Sequence, residues 1–376
     1  MDEAAAAPRR PARPAAARPS SGRATGRATL GSLAQSAGVA ASTVSRALRG
    51  DARISTEVRA RITALATEAG YTPNILARTL VLGRSGLIGL VLGPVENPFY
   101  AELLQQAVRL AADRGCRLLL LHAGPGPIED ATTEALLQYR VDGCLVSSAE
   151  LSSRAAAICA ANNVPLVMIN RVAREHGSAV SCDNRAGAEL LATLLLEAGH
   201  RRLAVVTGNA ATSTGRERTE GFCQFVAAAG GDMPLLVTGG ASHAAGFAAG
   251  QRIAAMPAAE RPDAVFAVAD ILAMGVIDAL REAGLAVPGD VSVVGMDGIS
   301  LADRPPYRLT TVVQPLQAMV ARGLDLLLAG IEQGAVAAPQ ERVLLRGTLR
   351  LGASARLPES GLPLTGSPAA ALPAAE

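Results

Sequence analysis

A chain of 376 residues is long for one domain and points to two or three, with ample apolar material for their cores at 49% hydrophobic content. It has no apolar run of about eighteen residues, and no leucine-rich signal core follows its first arginines, so the sequence predicts a cytoplasmic protein without a membrane span. The net charge of +2 hides an asymmetry: Met1–Arg84 carries 13 arginines against 5 acids, and the remainder 22 arginines against 28 acids. A basic N-terminal module on a mildly acidic body is the layout of a nucleic-acid-binding head on a regulatory or catalytic domain.

Residues 1–28 are alanine, proline and arginine without apolar periodicity, and are expected to be a disordered extension. Residues 29–72 then read as three helices: Leu30 to Ala37, Ala41 to Arg49 and Ser55 to Ala69. The second is apolar through Val44, Ala47 and Leu48 and bears hydroxyls and arginine on its other face. Two short helices across a glycine turn form a helix-turn-helix, whose second helix can lie in a DNA major groove. Its outward residues Ala41, Ser42, Ser45 and Arg46 suit that task, since the arginine fork matches guanine O6 and N7. The alternative is a protein-binding bundle in which these positions are merely solvated.

Pro73-Asn74 opens a further short helix through Leu80, in a hinge and linker spanning 73–85. At about nine residues, Asn74 to Leu82 is too short to be stable alone, so it is expected to be helical only when docked. From Leu87 onward apolar strand runs alternate with helices. The strands are Leu87–Leu92, Arg117–Leu121, Cys144–Val146, Leu166–Ile169, Leu203–Val206, Ala264–Val268 and Val291–Val294; the helices include Phe99 to Arg114, Glu189 to Ala198 and Ile271 to Ala283. This order predicts parallel βαβ units, too many for one sheet, hence two lobes with a cleft between them. The expected division is 86–183 with 309–335 for the first lobe and 184–308 with 336–355 for the second, followed by a disordered tail over 356–376.

The five cysteines lack a C-x-x-C pair and the four histidines do not cluster, so neither a disulfide framework, a metal site nor a cofactor is expected. No G-x-S-x-G elbow or dinucleotide fingerprint supports an enzyme. The glycine-bracketed run Gly208 to Arg216 has the look of a phosphate loop, but all 35 basic residues are arginine, so a P-loop lysine is absent.

Specific motifs narrow the reading. T-V-S-R at Thr43 to Arg46, G-Y-T-P-N at Gly70 to Asn74 and A-R-T-L at Ala77 to Leu80 resemble the head of LacI/GalR-family regulators. The resemblance implies that Ser42 and Arg46 read bases and that Thr43, Ser45, Tyr71 and Asn74 hold the backbone. It also implies that Leu80 wedges into the minor groove, with Thr29 and Ala77 in the same DNA-binding set. Ala40 stands where the family usually has a serine cap.

The body is similar to that family's periplasmic-binding-protein-like domain. The similarity runs through Asn97-Pro98-Phe99-Tyr100, Gly199-His200-Arg201-Arg202, Arg218 to Phe222, Ala269-Asp270, Val287 to Asp297 and Leu309 to Val312. It implies a cleft in which Phe99 or Tyr100 packs on a ligand while Asn97, Ser147, Thr214, Arg218, Asp270 and Asp297 offer polar contacts. The alternatives are structural: Asp270 caps its helix, Asp297 ends a strand, and Arg218 pairs with either. Three departures bear on the ligand: Ala241 replaces an aromatic common in sugar-responsive relatives, Gly298 a second aspartate, and Ala269 an asparagine.

The expectation is thus an all-α helix-turn-helix head on an α/β two-lobed body with parallel, Rossmann-like sheets. Its function would be transcriptional regulation, as a repressor. A homodimer would bind a pseudo-palindromic double-stranded DNA operator under the control of a small, sugar-like effector. A nucleoside, another polyol or a protein co-regulator stays open as the controlling partner. A solute-binding protein and a DNA-binding protein without effector are the other classes.

Overall fold

The computed structural model describes residues 28–71, 84–93, 96–123, 128, 130–147, 153–171, 177–209, 212–334 and 340–358. The expected disorder before residue 28 and beyond 358, the hinge helix, and with it Asn74, Ala77 and Leu80, lie outside them. The described residues form two units, divided between Gly83 and Arg84.

In the first unit, α1 (Leu30–Ala37), α2 (Ala41–Leu48) and α3 (Thr56–Glu68) match the three expected helices to within one residue at each end. Each start has a local cause. Thr29 caps α1, its hydroxyl accepting from the Ser32 N–H at 3.1 Å while the Ser32 hydroxyl accepts from the Thr29 N–H at 2.9 Å. Ser55 caps α3 by accepting from the Val58 N–H. Leu33, Ala34 and Ala37 of α1, Val44 and Ala47 of α2, and Ile62 and Ala66 of α3 form one buried core. Arg61 donates to the Ala37 carbonyl at 2.9 Å and ties α3 to the end of α1.

The second unit holds, among the described residues, two six-stranded sheets. The first has the order β11-β5-β4-β3-β1-β2, with β1 Leu87–Leu92, β2 Arg117–His122, β3 Gly143–Ser147, β4 Leu166–Ile169, β5 Ser178–Cys182 and β11 Arg342–Leu345, all parallel. The second has the order β12-β10-β9-β8-β6-β7, with β6 Leu203–Thr207, β7 Leu235–Thr238, β8 Ala264–Ala267, β9 Ser292–Asp297, β10 Thr310–Val313 and β12 Thr348–Arg350. Only β12 runs antiparallel in it. The helices that matter for function are α4 (Pro98–Asp113), α7 (Asn184–Glu197), α8 (Ser213–Ala228), α10 (Asp270–Glu282) and α11 (Leu316–Gln333), with α5 (Asp130–Gln138), α6 (Ser153–Ala161) and α9 (His243–Ala254) completing the set in chain order. Strands β3, β5, β8 and β9 are buried throughout, as strands covered by helices on both faces must be.

The C-terminal lobe boundaries differ from the expected ones. β10 lies beside β9 in the second sheet, pairing Thr310 with Val294, although 309–335 was assigned whole to the first lobe. β11 lies beside β5 in the first sheet, pairing Arg342 with Ala179, although 336–355 was assigned to the second. Each sheet takes a further strand from the C-terminal part of the chain, and α11 returns to pack on α4, β3, β4 and β5. The chain therefore crosses between lobes after β5, after β10 and after β11. The Gly199–Arg202 motif proves structural: Asp263 accepts from the Arg201 and Arg202 N–H groups, and buried His200 lies 3.2 Å from its carboxylate.

Candidate functional site

Two surfaces carry the residues singled out above. On α2, Ala41, Ser42 and Arg46 are exposed, Thr43 and Ser45 half-buried, and Val44 and Ala47 buried. The Arg46 guanidinium makes no hydrogen bond among the described residues. Among the described residues nothing within the head competes for that fork. Tyr71 is half-buried and packs on the head core, its N–H donating to the Ala66 carbonyl. Thr29 is exposed and its side chain is engaged in the α1 cap. Ala40 is the N-cap of α2 and has no side chain to bond the helix N–H groups. Restoring a hydroxyl by Ala40→Ser is expected to stabilise the chain by about 1 kcal/mol, read by urea unfolding.

The second surface is a cleft between the two sheets' lobes, at the carboxyl ends of the strands. It encloses about 310 Å³, within the range of small-molecule sites. The first lobe contributes Glu96, Asn97, Tyr100, Asn170 and Arg171. The second contributes the Gly208–Asn209 turn, the start of α8 with Thr214 and Arg218, the small wall Gly240, Ala241, Val268 and Ala269, and Asp297. Arg218 organises it. Its Nε donates to Asn184 Oδ1 at 2.8 Å, and its Nη1 donates to the Val268 carbonyl at 2.6 Å and to Asp297 Oδ1 at 2.9 Å. Asp297 also accepts from Gln314 at 2.8 Å and, across the cleft, from Asn97 Nδ2 at 3.0 Å. Arg218 is 3% exposed, and among the described residues its Nη2 has no hydrogen-bond partner. A buried donor left unsatisfied is costly, and this one belongs to a residue that lines the cleft.

Five of the eight expected cleft residues are brought together: Asn97, Tyr100, Thr214, Arg218 and Asp297. Three are not. Phe99 is buried in the first-lobe core and meets the Tyr100 ring edge-on, with centroids 5.4 Å apart, so Tyr100 alone of the pair faces the cleft. Ser147 is fully buried and its hydroxyl donates to the Ile169 carbonyl at 3.0 Å. Asp270 is fully buried beneath the cleft: it accepts from the Gly298 and Ile299 N–H groups at 2.7 and 3.0 Å and from the Thr311 hydroxyl at 2.6 Å. It fixes the turn that follows Asp297. Gly298 in that turn has φ 79°, and a Cβ there would stand 2.6 Å from the Val313 Cα, so the aspartate found in relatives has no room here.

Burial, with the Asp297 charge nearby, raises the Asp270 carboxyl from 3.8 to about 7. A carboxyl raised on folding favours the folded body most below about pH 4, and that advantage is lost as the pH rises towards 7. Asp270→Asn removes the ionisation. The fall in unfolding free energy between about pH 5 and 7, read by urea titration, is therefore expected to be shallower in the variant.

Sequence reasoning did not single out Asn170, Arg171, Asn184, Thr212 or Gln314. Asn170 adopts a left-handed backbone at φ 64°, is 4% exposed, and among the described residues its Oδ1 has no hydrogen-bond partner. An asparagine directly after a buried strand was the available signal, since asparagine tolerates that conformation. Asn184 and Gln314 carried none, because they act through Arg218 and Asp297.

With this geometry in place, comparison with known proteins identifies the family. Residues 29–74 match the profile of bacterial regulatory proteins of the lacI family, and 192–355 that of the periplasmic binding protein-like domain. The chain is 34% identical to the ribose operon repressor of Escherichia coli (strain K12), over 81% of this chain and 94% of that one. Among solved structures, the transcriptional regulator CelR in complex with cellobiose is 29% identical with a TM-score of 0.62, over 87% of this chain and all of that one. The lac repressor dimer bound to operator and the anti-inducer ONPF shares the fold, with a TM-score of 0.79 at 24% identity over 88% of this chain and 99% of that one. The chain belongs to the lacI family of bacterial regulatory proteins.

Proposed function

We propose that the protein is a transcriptional repressor that binds a pseudo-palindromic operator as a homodimer, with a small hydroxyl-rich molecule in the interlobe cleft setting its affinity. The observation that carries this reading is the pairing, in one chain, of an exposed Ser42/Arg46 face on α2 with a cleft centred on Arg218. The ribose operon repressor and the CelR–cellobiose complex support a sugar as the controlling molecule. Ser42 and Arg46 read base edges, while Thr29, Thr43, Ser45, Tyr71 and the hinge residues Asn74, Ala77 and Leu80 hold backbone and groove. In the cleft, Asn97, Thr214, Arg218 and Asp297 bond the ligand and Tyr100 packs on it.

A second copy has a surface to meet. α4 packs against the edge strand β2, and both present large apolar side chains to solvent, Val108 at 52% and Leu120 at 50% exposure. A polyol is favoured over a nucleoside by the walls, since Tyr100 is the single aromatic ring among the described lining residues and faces glycine and alanine. Gel-shift titration of the full chain on its own upstream DNA tests the function. Sequence-specific binding that changes with a sugar supports it, and binding indifferent to sequence contradicts it. Among the described residues no helix is long and apolar enough to cross a membrane.

A further inference from the structure

The run Gly208–Arg216, set aside in the sequence for want of a lysine, returns at the cleft. β6 ends at Thr207, and the chain turns through Gly208 and Asn209 into the Thr212 cap of the sixteen-residue helix α8. Thr212 donates its hydroxyl to the Asn209 carbonyl at 2.8 Å and accepts from the Gly215 N–H at 3.1 Å. A Cβ on Gly215 would stand 2.6 Å from that same carbonyl, so only glycine lets the turn close this tightly. The Thr214 hydroxyl lies 3.4 Å from that of Thr212, and both residues line the cleft. Arg218 is one helical turn beyond Thr214 on the same face, with its buried Nη2 unpartnered. Opposite, the first lobe presents Arg171, whose Nε is buried and, among the described residues, without a hydrogen-bond partner.

The cavity thus combines the positive end of a long helix, the Thr214 hydroxyl and two guanidinium groups. Asp297 offsets the Arg218 charge in a buried ion pair and accepts from Asn97 on its other oxygen, and Glu96 is exposed at the rim, so the positive character left inside the cleft is that of the helix start and Arg171. A neutral polyol satisfies Asn97, Asp297 and Arg218 but brings no anion to Arg171. We propose that the effector is a phosphorylated sugar, its phosphoryl group seated at the start of α8 between Thr214 and the Arg218 Nη2, with Arg171 closing from the first lobe. In place of the P-loop lysine, Arg218 offers its unpartnered Nη2 and Arg171 its guanidinium to the phosphate oxygens. A ligand held by both lobes also gives the cleft a reason to close.

This inference rests on the reading of the cleft as an effector site, and its test separates the two. Binding to the full chain is measured by calorimetry for ribose, ribose 5-phosphate, glucose, glucose 6-phosphate and inorganic phosphate. One phosphate ester is expected to bind about tenfold or more tighter than its parent sugar. Arg171→Gln is expected to remove most of that preference while changing the parent sugar's affinity less than about threefold, and Thr214→Val to lower the ester's affinity by more than the parent sugar's. Parent sugars binding as tightly as their esters overturns the phosphate subsite and leaves the effector cleft standing. A preference that survives Arg171→Gln and Thr214→Val unchanged overturns the seat assigned here. Silence from all five compounds overturns the phosphate subsite, and silence from a wider panel of neutral sugars and nucleosides then counts against the cleft itself.

Discussion

Arg218→Met is expected to abolish the effector response and lower the body's stability by about 3–5 kcal/mol, while leaving operator binding intact. The guanidinium and Asp297 are 3% and 5% exposed, so removing the cation strands a buried carboxylate with only Gln314 and Asn97 as donors. It also orphans the Val268 carbonyl and Asn184 Oδ1, which Arg218 serves at 2.6 and 2.8 Å. The measurement is thermal unfolding of the full chain with and without effector, alongside gel-shift titration. Adding Asp297→Asn should recover part of the stability, because it removes the stranded charge, yet restore none of the response. A variant that responds normally to effector would remove Arg218 from the ligand's contacts.

Arg46→Ala is expected to weaken operator binding by about 1–3 kcal/mol and to leave binding to unrelated DNA nearly unchanged. Val44 and Ala47, buried on either side of it in the α2 sequence, hold the helix on the head core. The substitution at this exposed position therefore leaves the fold unaltered. Competition gel shifts with operator and scrambled duplexes read the difference. A uniform loss on both DNAs would instead make Arg46 a phosphate contact.

The head was legible because its physics is local. Leu33, Ala34 and Ala37 recur at helical spacing, and Thr29 and Ser55 mark helix starts by side-chain capping alone. The central strands were legible as apolar runs. Their neighbours were not: β5 reads Ser178-Ala-Val-Ser-Cys182, and β11 and β12 carry arginine and threonine, so only pairing with an existing sheet defines them. The site divides in the same way. Asp270 and Asp297 look alike in sequence, each beside a buried strand, yet one is consumed by two backbone N–H groups and a hydroxyl while the other lines the cleft. Phe99 and Tyr100 are adjacent, and about 100° of helical rotation sends one to the core and the other to the cleft. Arg171 was invisible because its importance comes from what stands across the cleft.

The central claim is that one chain couples operator binding to occupancy of the Arg218 cleft. Fluorescence anisotropy on a labelled operator, titrated with the full chain at saturating and at zero effector, measures that coupling free energy directly. The account predicts an operator affinity that differs by about fivefold or more between the two conditions and becomes equal in Arg218→Met. Operator affinity unmoved by a ligand that demonstrably fills the cleft would contradict it.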